Sequence, residues 1–335
     1  MNKIVVACLL SILVILLGIG IGSTFILPWE VANIMAHKIF GAQLLDSVTS
    51  THISIVWNIR TVRTLMAFVV GAAIAASGSA MQSVMQNPLA SSYTLGVSAG
   101  ASVAAGLAMI TGVSFFGILT LPFFGMIAGV STVVLVVLLA SKFDRNMGNF
   151  TIILLGMVVS LFLNAIITII NALFRENMQR LVYWQMGSFS GKAPLELLVI
   201  TILTIIGVFL LTLHARELDI LTFGETEAFS IGVDVKKAKW KILVLSAGLT
   251  GSAISFVGII GFVDLIAPHV VRKLFGSSHK IVIPMSAIFG GIFMVCADII
   301  ARVAIESIDL PIGAVTALMG APFFMYIFFR GGKYA

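Results

Sequence analysis

The sequence predicts an all-α, polytopic membrane protein, and three observations carry that prediction. Of the 335 residues, 59% are hydrophobic. Only 10% are charged, whereas a soluble domain carries roughly 25% and needs them to cover its water-facing surface. The apolar residues gather into ten runs, most of them near the length of about 20 residues that a helix needs to cross a bilayer. Together these exclude a soluble enzyme, a disordered chain and a collagen-like fibre.

The first run, 4–27, follows Met1-Asn2-Lys3. It lacks a clear A-x-A and exceeds the apolar core of a signal peptide, roughly 7–15 residues, so it reads as an uncleaved first span. Segment 28–58 reads as an outer loop, with a short amphipathic helix from Pro28 to Phe40. Runs 61–80, 93–112, 117–141, 150–172 and 195–213 follow. Segment 214–240 holds the densest charge in the chain and reads as an inner, cytoplasmic loop. Runs 241–260, 262–275, 281–303 and 312–329 complete the series. The 262–275 run is short and contains Asp264, Pro268 and His269. Such a segment lies within a bundle when other helices satisfy its backbone. No linker or low-complexity tract divides the chain, so 1–335 is expected to form a single membrane domain. Gly71 to Gly78 and Ala247 to Ser252 share a small-residue texture. That texture suits close helix approach and hints weakly at an inverted repeat of spans two to five on seven to ten.

Charge orients the bundle. With the N-terminus inside and strict alternation, the inner side carries Lys3, Lys142, Arg145, Arg216, Lys236, Lys237, Lys239, Lys241, Arg272, Lys273, Lys280, Arg330 and Lys333. The outer side carries only Lys38, Arg60, Arg63, Arg175, Arg180, Lys192 and Arg302. Cytoplasmic loops carry the excess of Lys and Arg, so both termini are expected inside and the span number even. The same bias accounts for the net charge of +6 without nucleic acid. Cys8 and Cys296 lie far apart in apolar runs, with neither metal-ligand spacing nor a disulfide framework.

Several local patterns have two readings each. The chain has no G-x-x-x-x-G-K-[ST], so ATP-driven work needs a partner chain. Gly96 to Gly100 matches G-x-S-x-G. It is either a packing motif or the site of an intramembrane serine hydrolase, with Ser98 as nucleophile and His269 or His214 as base. Arg60 and Arg63, at i and i+3, are either interfacial anchors or a docking site for a carboxylate-bearing partner. Asp298 and Arg302 form either an internal pair or part of the same basic patch. Gln86 to Ala90, broken at Pro88, is either a tight turn or a constriction with Asn87 and Leu89 facing a pore. Glu225 to Gly232 is a capped helix, either solvated or a docking knob for an inner partner. Lys236 to Lys241 reads as a membrane anchor.

Taken together, the motifs resemble those of the FecCD family of permeases, the membrane subunits of type II ABC importers for ferric siderophores, haem and cobalamin. The family's R-x-P-R is matched by Arg60 to Arg63, with Val62 in place of Pro, and its S-G-x-x-x-Q by Ser77 to Gln82. N-P-L-A and L-G-x-x-x-G-A are matched by Asn87 to Ala90 and Leu95 to Ala101. W-x-x-G-S appears at Trp184 to Ser188, and G-E-x-x-A-x-x-L-G-V at Gly224 to Val233. G-F-V-G-L-x-x-P-H-x-x-R appears at Gly261 to Arg272, with Asp264 in place of Gly. A-D-x-x-A-R and P-x-G-x-x-T-A-x-x-G-x-P-F appear at Ala297 to Arg302 and Pro311 to Phe323.

The resemblance implies ten transmembrane helices, a pore at a homodimeric or heterodimeric interface, two ATPase subunits beneath it and an extracytoplasmic substrate-binding protein above it. It places the chain in a bacterial cytoplasmic (inner) membrane, with an iron chelate of the siderophore type as cargo and haem or cobalamin as the alternative. It implies a transport subunit rather than an enzyme, with no cofactor of its own and with ATP and Mg on the partner ATPase. By the same resemblance Arg60, Arg63 and Arg302 dock the binding protein. Asn87 and Leu89 form an inner gate, and the loop holding Asp144 and Asn146 forms a second. Glu225, Glu227, Ala228, Ser230, Ile231 and Gly232 couple to the ATPase. The resemblance assigns no role to Asp264, which is expected near the outer half of the bundle.

Overall fold

The computed structural model describes residues 2–22, 24–144, 146–305 and 308–331, with side chains from Lys3 to Met325 within those ranges. Arg145 and Lys333, and the side chain of Arg330, which entered the charge count, lie outside the described residues. Each of the ten apolar runs carries a helix, and the described residues form no strand.

Helix α1 (Asn2–Gly20) precedes α2 (Pro28–Phe40), the helix expected in the segment after the first run. Pro28 sits in the first turn, where a missing N–H costs nothing. Gly41, at φ 72°, ends α2 in the left-handed conformation and donates its N–H to the Ala36 and His37 carbonyls. Helix α3 (Ser50–Ile53) passes through a π-helical stretch (Ser54–Thr61) into α4 (Val62–Val84). Next come α5 (Val97–Thr111), α6 (Thr120–Phe143), α7 (Asn149–Leu173), α8 (Arg175–Met186) and α9 (Pro194–Leu213). Two short helices, α10 (Ala215–Leu221) and α11 (Glu225–Ser230), lead to α12 (Val235–Val257). The chain closes with α13 (Val263–Phe275), α14 (His279–Val303) and α15 (Ile312–Gly331).

Among the described residues, seven helices are long and apolar enough to cross a membrane, within Lys3–Gly20, Ser50–Val84, Gly117–Phe143, Asn149–Leu173, Pro194–Leu213, Val235–Val257 and His279–Val303. The protein is therefore a multi-pass membrane protein. Helices α5, with 15 residues, and α13, with 13, are shorter, and at 1.5 Å per residue fall short of the roughly 30 Å hydrocarbon core.

Boundaries differ from the sequence reading in four places. Helix α1 stops at Gly20 rather than running to Leu27. Helical structure leading into α4 begins at Ser50, capped by Thr49, and the polar run Ser50-Thr51-His52 hid that extension in the sequence. Helix α12 begins at Val235, so the end of the 214–240 loop is helical. Helix α8 was not anticipated. Its sequence is polar, and only Leu181 is buried, in a cluster with Ala105 and Ile167.

Helices α4 and α12 form the centre. Of their most apolar windows 83% and 72% is buried, against 17% for α7 and 22% for α1 and α9. The less buried helices present apolar side chains such as Leu161, Phe162, Ile205 and Phe209 outward, as lipid-facing helices do. Helix α4 packs on α14, α12, α13 and α9. Small residues permit this. A Cβ on Gly290 would lie 2.4 Å from the Gly71 carbonyl oxygen and 2.3 Å from Ala75 Cβ. A Cβ on Gly78 would lie 2.3 Å from the Asp264 carbonyl oxygen. Helix α13 contains Pro268, which cannot donate to the carbonyl four residues back. That carbonyl belongs to Asp264, and Gln82 Nε2 donates to it instead at 3.0 Å. A neighbouring helix thus satisfies the interrupted backbone.

Gly290→Ala is expected to cost about 1–3 kcal/mol, the usual effect of overpacking, read as a lower melting temperature in detergent. Gly248→Ala, where an added Cβ meets nothing within 4 Å, is expected to be neutral or stabilising by up to about 1 kcal/mol.

Candidate functional site

The residues singled out by sequence fall at two ends of the bundle. At the first, Arg60 leaves the π-helical stretch and turns back onto α1. Its guanidinium donates to the Gly20 carbonyl at 2.8 Å and to the Thr24 carbonyl. A cation at the last carbonyl of α1 satisfies an orphan acceptor and complements the helix dipole. Arg63, on the first turn of α4, donates Nε to Asp298 Oδ1 at 2.8 Å and Nη1 to Asp309 Oδ2 at 2.7 Å. Arg302 Nη2 lies 3.0 Å from Asp298 Oδ2. Asp298, fully buried on α14, therefore has one guanidinium at each oxygen.

Arg63 and Arg302 converge on Asp298 while Arg60 holds the end of α1, and Arg60, Arg63 and Arg302 are only 4%, 7% and 5% exposed. They tie α1, α4, α14 and the segment carrying Asp309 together. Arg302 Nη1 has no hydrogen-bond partner among the described residues.

At the opposite end, α4 runs into a turn in which Gln86 is left-handed at φ 50°. Asn87 Oδ1 accepts the Leu89 N–H at 2.9 Å, the side-chain turn that Asn favours. Leu89 is 49% exposed. Gln86 Nε2 donates to the Leu221 carbonyl at 2.7 Å, and Asn149 Nδ2 to the Met85 carbonyl at 3.1 Å. Ser91 donates to the Asp264 carboxylate, and Tyr93 to the Ile260 carbonyl. Asp264 therefore lies against Gly78 and this turn, not toward the arginine end as the sequence suggested. Helix α13 is short and starts deep in the bundle, which places its first turn there.

The 144–149 loop is built on Asp144, which accepts from Asn146 N at 2.9 Å, Gly148 N at 2.8 Å and Thr151 Oγ1 at 3.1 Å. Those N–H donors, Asn146 first, hold its carboxyl below the usual carboxylate range. Asn146 faces α11 across a concavity of about 850 Å³, also lined by Glu225, Thr226, Phe229, Gly232 and Val235. Ile231 is 68% exposed and Phe229 76%. Glu227, Ser230 and Gly232 are exposed beside them, whereas Ala228 is buried and seats α11 on the core.

Lys239 departs from the anchor reading. Its side chain is fully buried, and Nζ donates to Glu225 Oε1 at 2.5 Å and to the Met147 carbonyl at 2.9 Å. Sequence reasoning also missed the cluster that Asp219, Arg272 and His279 form, which bonds across four helices at this end. The available signal was polar residues beside the apolar runs: Asp219 in the 214–240 loop, Arg272 near the end of 262–275 and His279 just before 281–303.

Ser98 is half-buried on α5. Among the described residues it has no hydrogen-bonded histidine, and His214 instead lies 3.5 Å from Glu217. The flanking glycines face other helices: a Cβ on Gly96 would lie 2.9 Å from Ser160 Oγ, and one on Gly100 2.1 Å from Thr132 Oγ1. The G-x-S-x-G pattern is therefore a packing motif. Among the described residues no cluster of three His, Cys, Asp or Glu is placed to hold a metal ion.

The model of the FecCD transport family matches residues 9–330. The chain is 39% identical over 324 residues to the uncharacterized ABC transporter permease protein YvrB of Bacillus subtilis (strain 168), covering 95% of this chain and 92% of that one. It is 34% identical over 302 residues to the cobalamin import system permease protein BtuC of Halobacterium salinarum, covering 90% and 79%. A solved chain described as an inward-facing, metal-chelate type ABC transporter superposes with a TM-score of 0.82 at 27% identity, covering 98% of this chain and 100% of that one.

Asp298→Asn removes the charge shared by two buried guanidiniums. It is expected to cost about 3–5 kcal/mol, as breaking a buried ion pair does, read by thermal unfolding in detergent. Asp309→Asn, whose side chain is 44% exposed, is expected to cost no more than about 1 kcal/mol.

Proposed function

The chain belongs to the FecCD transport family and is the permease subunit of an ABC importer, and from that premise we propose that it translocates an iron chelate of the siderophore type. The observation that carries the importer assignment is coverage: one family model spans residues 9–330, and a solved transporter chain aligns with 98% of the chain. The metal-chelate description of that neighbour favours an iron chelate. A cobalamin or haem cargo stands beside it, favoured by relatives named for cobalamin import and for hemin transport.

In this reading the chain is a single domain with ten membrane spans and both termini cytoplasmic, in a bacterial cytoplasmic membrane. Helices α5, α13 and α15 complete the spans within the bundle. Two copies form the pore, two ATPase subunits bind beneath them, and an extracytoplasmic binding protein docks at the arginine end through Arg60, Arg63 and Arg302. Asn87 and Leu89 with the Asp144–Asn146 loop are the inner gates. Segment 214–240 receives the ATPase, with Glu225, Glu227, Ser230, Ile231 and Gly232 at the contact. The chain binds no cofactor and carries out no covalent step, while ATP and Mg act on the partner. Transport is alternating access, in which each ligand shifts the balance between two states by its differential affinity for them.

Purification from native membranes in mild detergent, with intact mass of every co-purifying chain, is expected to give two permease and two ATPase chains. Glu225→Lys is expected to lose the ATPase, and its normal retention would count against the coupling assignment. Arg302→Gln is expected to weaken binding-protein docking about tenfold or more, as loss of an interface arginine does. The paired reversal Arg60→Glu with Arg63→Glu is expected to weaken it further, and unchanged affinity in both would remove the arginines from the docking surface.

A further inference from the structure

Two buried side chains connect segment 214–240 to the elements beside it. The first is His279, at the start of α14 and 2% exposed. Asp219 Oδ1 on α10 accepts its backbone N–H at 2.8 Å and its Nδ1–H at 2.6 Å. With Nδ1 as donor, Nε2 of the neutral ring is the acceptor facing the Ser83 hydroxyl at 2.6 Å, whose proton is shared with the Ser79 carbonyl at 3.0 Å. Ser83 lies in the last turn of α4, directly before the Gln86–Leu89 turn. The order Ser–His–Asp is that of a hydrolase triad, but Ser83 is buried and its Oγ also accepts from Arg272 Nη2 at 3.2 Å. The cluster joins helices and presents no nucleophile.

The second is Lys239, whose buried ammonium spans Glu225 of α11 and the Met147 carbonyl of the 144–149 loop. Two shorter ties close the frame: Gln86 to Leu221, and Asn149 to Met85. Burial is what makes these connections stiff, because a buried charge or hydrogen-bonding group that loses its partner finds no water to replace it. The Lys237–Asp234 pair in the same segment is 79% and 53% exposed and transmits little.

We propose that His279 and Lys239 are positioning residues that fasten α10 and α11 to the Gln86–Leu89 turn and the 144–149 loop, so that one displacement of the charged segment reaches both. The proposal rests on the reading of 214–240 as the ATPase-facing segment and of the other two as gates.

The test uses the assembled transporter with Cys8→Ser and Cys296→Ser. Spin labels at Leu89 and at Phe229 are each measured against one at Phe115, with and without ATP–vanadate. Without further change both distances are expected to shift with nucleotide. In the double variant His279→Asn, Lys239→Met the Phe229 distance still shifts, showing a folded and assembled protein, while the Leu89 shift is lost. Lys239→Arg in place of Lys239→Met restores part of it, and Lys237→Met changes neither distance. A Leu89 shift that persists in the double variant overturns the proposal. If neither distance shifts in the protein with intact His279 and Lys239, the ATPase-facing reading itself fails, and the proposal with it.

Discussion

Helix α4 reaches the centre of the bundle because small residues stand where it crosses α14 and α13. Gly71 meets Gly290 backbone to backbone, and Gly78 meets the first turn of α13. Inside a bilayer no hydrophobic gain drives one apolar helix onto another, so contact area and buried hydrogen bonds must hold the helices together. Close approach supplies both. It places Gln82 where it can serve the carbonyl that Pro268 leaves bare, and Ser83 where it can meet His279. The interrupted helix α13, the loop-end cluster and the arginine cluster all take their positions from α4.

The two ends of the bundle hold buried charge in different ways. At one, Asp298 sits between two guanidiniums, with Asp309 as a more exposed third partner. That arrangement fixes the relative positions of long helices. At the other, Asp219 and Glu225 tie the short helices α10 and α11 to His279 and Lys239, near the ends of the long helices α14 and α12. Many local elements joined by few buried contacts can move as a set, whereas long helices clamped by one carboxylate move as a body.

Much of this was legible in the sequence, for identifiable reasons. Each of the ten apolar runs marked a helix, because the bilayer makes hydropathy the dominant signal. Pro28 and Phe40-Gly41 carried the bounds of α2 in their own backbone chemistry. The early end of α1 was not legible, because the cap on its last carbonyl comes from Arg60, 40 residues away. Helix α8 was lost because polar residues at its surface blur the period. Lys239 was misread because burial of a lysine depends on Glu225 and Met147, which only the fold brings together. For the same reason the arginines were legible as a group but not as a group engaged inside the protein.

The π-helical stretch from Ser54 to Thr61 stores one surplus residue in an otherwise continuous rod. Removing a single residue there would let the rod relax to ordinary α-helix without disturbing α4, whose glycine contacts lie beyond it. A π turn closes its hydrogen bond over one residue more than an α turn, so the far side would keep nearly the rotational phase it has now, and α2 and α3 would keep their aim. The stretch thus acts as a length buffer, at which a one-residue change is absorbed before it reaches either the outer segment or the translocating core.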